Sequence, residues 1–315
     1  MTSNQANTFL DQAGLADLLA ELEEQRKKAL AWIGKLSLVA LICSAVTIGV
    51  LQLNRAEIIW SIGAGVVATL IWAIMSGRCY GNFINRYKLQ VMPLLLESIG
   101  PSFYYNPAGS IDIDEFRASG LYRRPDRFNG QDYVEGKLAK TFFRFSLVHA
   151  EKEVETTTTD NDGNTKTETH YETIFRGLFF SADFNKHFSG YTRVEAGGTS
   201  FLSALRSGLV KLEDPEFRKT FTVTSSDQIE ARYILSPALM RRLLELHNRF
   251  ECKVEAAFVG SRVMLAVPAR MNLLQPRFFR RADNPEVVMG YLGFLQSAIG
   301  LVEDLNLNTR IWTKQ

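Results

Sequence analysis

The feature that most constrains this chain is the block Leu36–Met75, which contains only two charged residues, Arg55 and Glu57. The whole chain of 315 residues has 36 Lys and Arg and 34 Asp and Glu, so nearly all of its charge lies outside this block. The remainder has the charge density of an ordinary water-soluble domain. This contrast excludes a simple cytosolic protein, a polytopic transporter and a disordered chain.

Two uncharged apolar segments, Leu36–Leu53 and Ile58–Met75, make up most of this block. Each has a helical length of about 27 Å, close to the hydrocarbon thickness of a bilayer. Only residues 54–57 separate them, so we predict a tight transmembrane hairpin with both chain ends on one side. The alternative is a pair of buried core helices, although a soluble helix of this length normally shows a polar stripe.

The distribution of Lys and Arg predicts which side the chain ends face. Seven basic residues flank the two segments and one lies in the turn between them, so the positive-inside rule places both termini in the cytoplasm. These residues are Arg26, Lys27, Lys28 and Lys35 before the first span, Arg78, Arg86 and Lys88 after the second, and Arg55 in the turn.

This pattern divides the chain into four parts: a cytoplasmic amphipathic helical arm (1–31), the transmembrane hairpin (32–77), a juxtamembrane helical linker (78–100) and a cytoplasmic α+β domain (101–315). In the arm, Thr8 and Asp11 have the spacing of a capping box, and leucines recur at helical spacing up to about Ala31. This helix either pairs with a partner helix or another copy, or lies against its own domain or the headgroups. In the linker, Pro93 predicts a kink or a restart.

The soluble domain shows strands in runs with helices segregated from them, which indicates an α+β fold with a largely antiparallel sheet and flanking helices. Asp162-Gly163 is a tight-turn dipeptide between the two strands of an extended hairpin. The predicted strands are Thr141–Glu155, Lys166–Phe180, Tyr191–Glu195, Thr220–Val223, Val254–Val259 and Arg262–Val267. The predicted helices are Ile113–Ser119 capped by Asp112, Pro237 to about Arg249 capped by Ser236, and Pro285–Leu305 capped by Asn284.

No established catalytic or metal motif occurs in the sequence: HExxH, CxxC, GxSxG and a Walker A loop are all missing. The three cysteines are too far apart to indicate a disulfide framework or a zinc site. His149 and His170 fall on the two strands of the long hairpin, where cross-strand pairing could bring them together as a weak metal hint. We therefore predict no cofactor, no metal and no catalytic residue. The net charge of +2 also gives no indication of nucleic-acid binding.

Five polar residues form the best candidate for a site of unrecognised chemistry: Asp183, His187, Asp227, Glu230 and Arg232. They include acids, a base and an imidazole, and they would constitute an enzyme site if they converged in one pocket. The alternative is that Asp183 and His187 lie at a polar strand end. In that interpretation the other three form a local ion-pair cluster before Ser236.

One segment has a composition that is typical of contact with a membrane surface: Arg277, Phe278, Phe279, Arg280 and Arg281. Cations interleaved with aromatic rings could rest on the anionic cytoplasmic leaflet, where each basic group contributes about 1 kcal/mol. The alternative is that both rings pack into the core while the arginines are solvated.

Several stretches resemble the DUF3137 family of bacterial proteins. They are Phe175–Phe188, Phe221–Met240, Val254–Pro268 and the ending Leu305–Trp312, and the Asp227–Met240 block is the most specific. The resemblance covers roughly Ser98–Trp312. It implies a bacterial origin, a membrane hairpin ahead of the domain and hence the inner membrane, but no catalytic residues, because the family has no known function.

The leading hypothesis is a membrane-anchored cytoplasmic binding or scaffold domain that engages a protein partner, another copy or the membrane surface, and performs no chemistry. The alternative is a membrane-anchored enzyme of unrecognised type that uses the five polar residues. A pore of oligomerised hairpins is less favoured, because neither span carries a charge to line a path.

Overall fold

The structure is a computed structural model that describes residues 14–53, 58–100, 102–159, 165–184, 187–197, 207–305 and 307. The chain divides into two compact units. One contains the described residues up to Ser98 together with Gln275–Leu292, and the other contains those of Ile99–Leu274 and Gly293–Gln315.

The first unit contains two long helices, α1 (Leu15–Leu53) and α2 (Ile58–Ile99). The predicted arm and the predicted first span are therefore parts of one continuous helix. This helix begins at Leu15. The preceding residue, Gly14, has a φ of +65°, which is not a right-handed helical conformation. The predicted cap at Thr8 and Asp11 lies outside the described residues.

Helix α2 continues through Pro93, where a kink or a restart was predicted. A proline inside a helix removes one hydrogen bond and costs about 3 kcal/mol. The residues around it, Val91, Met92, Leu95 and Leu96, are almost fully buried. Their burial stabilises the helix by more than the proline costs, since each such side chain contributes about 1.5–3 kcal/mol.

Two hydrogen bonds show that α1 and α2 run antiparallel. Trp72 Nε1 donates to Ser37 Oγ at 3.0 Å, and Arg86 Nη1 donates to Gln25 Oε1 at 2.9 Å. Each bond joins residues at similar chain distances on either side of residues 54–57, as expected for two helices that lie side by side.

By length and hydropathy, two helical stretches among the described residues could cross a membrane. Leu15–Val46 contains a window of mean hydropathy 2.0 with no buried residue, whereas Pro285–Asp304 contains one of mean hydropathy 1.3 that is 44% buried. The predicted second span, Ile58–Met75, is not one of the two. Five apolar side chains within it are nevertheless more than half exposed: Val66, Val67, Leu70, Ile71 and Ile74.

The second unit is built on an eight-stranded antiparallel sheet, which confirms the predicted α+β class. Its order is β1-β2-β3-β4-β8-β7-β5-β6. The strands are β1 (Phe103–Asn106), β2 (Arg127–Leu138), β3 (Thr141–Thr159), β4 (Thr165–Asp183), β5 (Tyr191–Ala196), β6 (Phe221–Ser225), β7 (Glu255–Val259) and β8 (Arg262–Pro268). The helices are α3 (Ile113–Ser119), α4 (Pro215–Thr220), α5 (Gln228–Ile234), α6 (Pro237–Phe250) and α7 (Pro285–Asp304), the last of which contributes to both units.

Both faces of the sheet are buried. On one face, Phe116 of α3 packs against Phe175 and Phe179 of β4 and belongs to the same buried cluster as Met264 of β8. On the other face, alternate residues of the same strands are equally buried, among them Phe180 of β4. The side-chain period of two in a strand thus supplies a core on each side.

The three predicted helix caps are present. Asp112 accepts a hydrogen bond from the amide of Asp114, Ser236 from that of Leu239, and Asn284 from that of Glu286. Strands β3 and β4 extend into the predicted connection Thr156–Thr165, and the turn predicted at Asp162-Gly163 lies outside the described residues.

Candidate membrane-surface site

An ion pair is buried within the first unit, on α1. Arg26 Nε donates to Glu23 Oε2 at 2.7 Å, and Arg26 Nη2 donates to Glu23 Oε1 at 2.6 Å. The two side chains are only 4% (Glu23) and 9% (Arg26) exposed. The hydrogen bond from Arg26 is the main reason why the pKa of Glu23 is lowered, although burial acts in the opposite direction. Arg26 was counted above as a flanking charge, but its side chain is occupied inside the unit.

The same ion pair fixes the segment 278–282. Arg26 Nη1 donates to the carbonyl oxygen of Phe278 at 3.0 Å, and the amide of Ala282 donates to Glu23 Oε2 at 2.8 Å. The Tyr87 hydroxyl of α2 also lies 3.5 Å from the carbonyl oxygen of Ala282. Both partners of a buried pair therefore satisfy backbone groups of the same loop, as buried charges require.

The two adjacent phenylalanines of this loop have opposite environments. Phe278 is 4% exposed, and its ring meets those of Tyr80 at 5.3 Å and Phe83 at 5.6 Å, both on α2. Phe279 is 88% exposed, although its ring lies near that of Phe278. Phe278 is therefore packed in the core, as the alternative interpretation expected for both rings, whereas Phe279 is exposed.

The cations of the segment are also exposed. Arg277 and Arg280 lie at the surface, and Arg281 forms an ion pair with Asp283 at 2.7 Å that remains open to solvent. The structure thus brings the five predicted residues together as one surface, with a buried ring as its base. Below, these residues are called the 277–281 surface.

The 277–281 surface is attached close to the end of the predicted second span. Tyr80 and Phe83 follow Met75 by five and eight residues in an uninterrupted helix. At 1.5 Å per residue this is roughly 8–12 Å. The headgroup layer extends about 5–8 Å beyond the hydrocarbon on each side. If α2 crosses a bilayer, the loop lies at the level of the headgroups or just outside them.

The members of the predicted polar cluster form separate local contacts. Asp227 caps α5, since its side chain accepts from the amides of Ile229 and Glu230 at 2.8 and 3.1 Å. Arg232 Nη2 lies 3.5 Å from the carbonyl oxygen of Lys211. The turn expected before Ser236 is a short helix, and among the described residues no ion pair joins its three charged members.

The remaining cluster residues also bind local groups. Glu230 Oε1 accepts from the amide of Ser189 at 3.0 Å, and His187 Nδ1 lies 3.2 Å from Ser261 Oγ. Asp183 ends β4, where it pairs in register with Arg262. Within the described part of the chain, no hydrogen bond or ion pair links two of the five residues proposed for an enzyme site.

The register of the long hairpin separates the two histidines that were expected to approach each other. His149 lies opposite Arg176, whereas His170 lies opposite Val154. His149 Nε2 instead lies 3.0 Å from Thr173 Oγ1. The expectation that pairing brings them together was wrong. Among the residues described, no group of three or more His, Cys, Asp or Glu could hold a metal ion.

One half-buried acidic pair was missed by the sequence analysis. The register that pairs Val194 with Ala256 places Glu195 of β5 opposite Glu255 of β7. Burial, together with the charge of Glu195, raises the pKa of Glu255, and a hydrogen bond from Tyr122 opposes this effect. The signal was not visible in the sequence, because the two residues are sixty positions apart and only the strand order brings them together.

The comparisons with known proteins concern mainly the second unit. Residues 173–307 match the model of DUF3137, described as "Protein of unknown function (DUF3137)". The match confirms the predicted resemblance over these residues, but it begins well after Ser98. No curated protein matches this chain.

A solved structure shows a distant likeness. The crystal structure of the mycobacterial trehalose monomycolate transport factor A, TtfA, shares 10% identity, and the alignment covers 67% of this chain and 93% of that chain at a TM-score of 0.34. A likeness of this size carries no conclusion about what the present chain does.

Proposed function

We propose that this protein is a multi-pass protein of the bacterial inner membrane that holds its α+β domain at the cytoplasmic face as a binding or scaffold module. Leu36–Leu53 and Ile58–Met75 are the two spans, and both termini are cytoplasmic. The proposal is supported by the antiparallel course of α1 and α2, by the exposed apolar side chains on both, and by the basic residues that flank them.

The membrane surface is the partner that the geometry favours most. The carrying observation is that Phe279 is 88% exposed in a loop that a buried ion pair and Phe278 hold against the helices. An exposed aromatic side chain between exposed arginines, on a loop whose backbone is held by a buried ion pair, is the chemistry of an interfacial contact, since the ring enters the headgroup layer and the cations meet anionic lipids.

The contact is worth a few kcal/mol. Removing the Phe279 side chain from water stabilises the contact by about 2 kcal/mol. Arg277 and Arg280 add about 1 kcal/mol each if the leaflet is anionic. These values would orient a tethered domain on the bilayer, although they are far below what an independent anchor requires.

The depth of residue 279 tests this proposal directly. The full chain, with Cys43, Cys79 and Cys252 replaced by Ala, is reconstituted into anionic bilayers and labelled with a nitroxide at Phe279→Cys. Collision with oxygen and with a water-soluble nickel chelate then measures depth. We expect the label to lie at headgroup depth.

Glu97→Cys is the matched control for this measurement. Glu97 is an exposed residue of the same helix and unit that follows Met75 by twenty-two residues, so its label lies about 33 Å beyond the hydrocarbon. The surface contact is refuted if residue 279 is as accessible to the chelate as residue 97. A reporter fused after Gln315 tests the topology, and activity in the periplasm alone would contradict it.

A further inference from the structure

A groove lies between α1 and α2, on the part of the hairpin that follows the predicted spans. Its volume is about 610 Å³, within the range of small-molecule sites. Two cations and four side-chain amides line it, and none of the described residues that line it is acidic. They are Lys28, Arg86, Gln25, Asn82, Asn85 and Gln90.

The lining favours a phosphate group. A guanidinium offers five N–H donors in a planar fork that matches phosphate oxygens, and the amides of Asn82, Asn85 and Gln90 add further donors. The amide nitrogen of Gln25 already donates to Glu21 Oε1 at 2.9 Å. One donor of Arg86 is used by Gln25 at 2.9 Å, which holds the guanidinium in the groove. Among the described residues, Lys28 forms an exposed ion pair with Glu24 at 3.6 Å, with side chains 79% and 72% exposed. Such a pair is weak in water, so an anion can replace it.

The groove is also close to the lipid. Asn82 follows Met75 by seven residues and Lys28 precedes Leu36 by eight, so both lie about 10–12 Å from the proposed hydrocarbon boundary. Arg86 follows Met75 by eleven residues and lies about 16 Å from it. Long basic side chains extend from that level towards the headgroup layer. Basic pockets between membrane helices on the cytoplasmic side are a known type of site for anionic headgroups.

We propose that this groove binds the phosphate of an anionic phospholipid headgroup from the cytoplasmic leaflet. The inference rests on the proposed membrane hairpin, and it concerns a site distinct from the 277–281 surface. The loop packs on Tyr80 and Phe83 of α2, and Phe83 also lines the groove, whereas the polar donors of the groove include Asn82 and Arg86. Among the described residues, no hydrogen bond or ion pair joins Lys28 or Arg86 to the loop, so these two cations can be replaced without removing a loop contact.

The test uses the full chain in neutral detergent micelles and a fluorescent short-chain phosphatidylglycerol whose binding is followed by anisotropy. Replacing Lys28 and Arg86 together by Gln is expected to weaken binding at least tenfold. Lys27→Gln is the matched control, because Lys27 is an exposed neighbour that does not line the groove. We expect a change of less than twofold for Lys27→Gln. Wild-type affinity of the double variant overturns the proposal.

Two further arms identify the source of the phosphate. Phosphatidylcholine of the same chain length is expected to bind at least tenfold more weakly, and equal binding would overturn the assignment to an anionic lipid. Inorganic phosphate is expected not to displace the labelled lipid at matched concentration. Displacement would assign the groove to free phosphate and overturn the lipid proposal.

Conservative replacements separate binding from folding. Restoring charge with Lys28→Arg and Arg86→Lys should recover most of the affinity, whereas a merely misfolded protein would not recover. If the groove does not bind the lipid while the label at residue 279 lies at headgroup depth, only this inference is refuted. Aqueous exposure of residue 279 with intact lipid binding would refute only the surface contact.

Discussion

Replacing Glu23 by Gln is expected to release the loop that carries the 277–281 surface. Glu23 accepts three hydrogen bonds, two from Arg26 and one from the amide of Ala282, at 2.6–2.8 Å. A glutamine offers one carbonyl oxygen and one NH₂ group. In either orientation the NH₂ group faces a donor, so at least one charge-assisted bond is lost and Arg26 is left without its counter-charge.

The expected cost is about 3 kcal/mol, at the lower end of the range for breaking a buried ion pair. Because every 1.4 kcal/mol is a tenfold change in an equilibrium constant, opening of the loop should become roughly a hundred times more frequent. The value of about 3 kcal/mol is the change in the free energy of opening the loop with its two backbone hydrogen bonds, and not a change in the stability of the second unit.

Amide hydrogen exchange followed by mass spectrometry measures this opening in the full chain. Peptides that cover residues 276–283 should exchange up to about a hundredfold faster in the Glu23→Gln variant. The matched control is Glu24→Gln, since Glu24 is an exposed neighbour whose pair with Lys28 is solvated. Unchanged exchange in the Glu23 variant would refute the role of the pair as a clamp.

A double replacement distinguishes loss of a partner from loss of charge. Glu23→Leu together with Arg26→Met removes both charges and keeps similar volumes, which is often neutral for a buried pair. Exchange should then return most of the way to the wild-type rate. A double variant as labile as Glu23→Gln would show that the two backbone hydrogen bonds, rather than the unpaired charge, dominate.

The clamp also has an expected pH dependence. The pKa of Glu23 is lowered in the folded protein, chiefly by its hydrogen bond with Arg26. A lowered carboxyl pKa gives stability that is present above the ordinary value and is lost as the pH falls through the lowered one. Loop protection should therefore be constant near neutral pH and should fall only in acid.

Three further replacements concern the second unit. Glu255→Gln should raise the unfolding temperature at pH 8 and change it little at pH 4, because burial and Glu195 raise the pKa of Glu255, so its stability contribution is lost as the pH rises through that raised value. Gly177→Ala should lower the free energy of unfolding by more than about 2 kcal/mol, since a Cβ would collide with the carbonyl oxygen of Val267 on β8. Asp227→Ala should lower it by about 1 kcal/mol through loss of the α5 cap.

Calorimetry and denaturant unfolding of the full chain in detergent check these three changes, each against a control. A pH-independent effect of Glu255→Gln would contradict the raised pKa. Gly290→Ala, where a Cβ meets no atom within 4 Å, should not destabilise the protein. Asp227→Asn keeps the cap and should cost much less than the alanine replacement.

The elements that the sequence predicted well are those determined by neighbouring residues. Asp112 and Ser236 cap their helices because a short side chain reaches amides two or three residues ahead. The β7–β8 hairpin forms around Gly260, whose φ of +61° suits a tight turn. The long apolar helix could also be predicted, because a charge-free stretch of that length has few other solutions.

The candidate site could be predicted only in part, because residues far away in the sequence determine which of its side chains are buried and which are exposed. The basic-aromatic composition singled out the segment, yet which ring is buried depends on Tyr80 and Phe83, almost two hundred positions earlier. Arg26 contacts Phe278 over 252 positions, and no local pattern indicates that a flanking cation is sequestered. Likewise, the distance between His149 and His170 depends on the strand register, which composition does not determine.

Helix α2 runs without a break from the proposed span to Tyr80 and Phe83, against which the loop packs. The number of residues between Met75 and Tyr80 therefore determines how far the Phe279 side chain lies from the hydrocarbon. Inserting one residue there would move the Phe279 side chain about 1.5 Å further from the hydrocarbon and rotate it by about 100° around the axis of α2. Inserting seven would move it by about 10 Å and return it to nearly the same side of the helix. Distance from the bilayer and direction around the helix can thus be changed separately without changing the loop sequence.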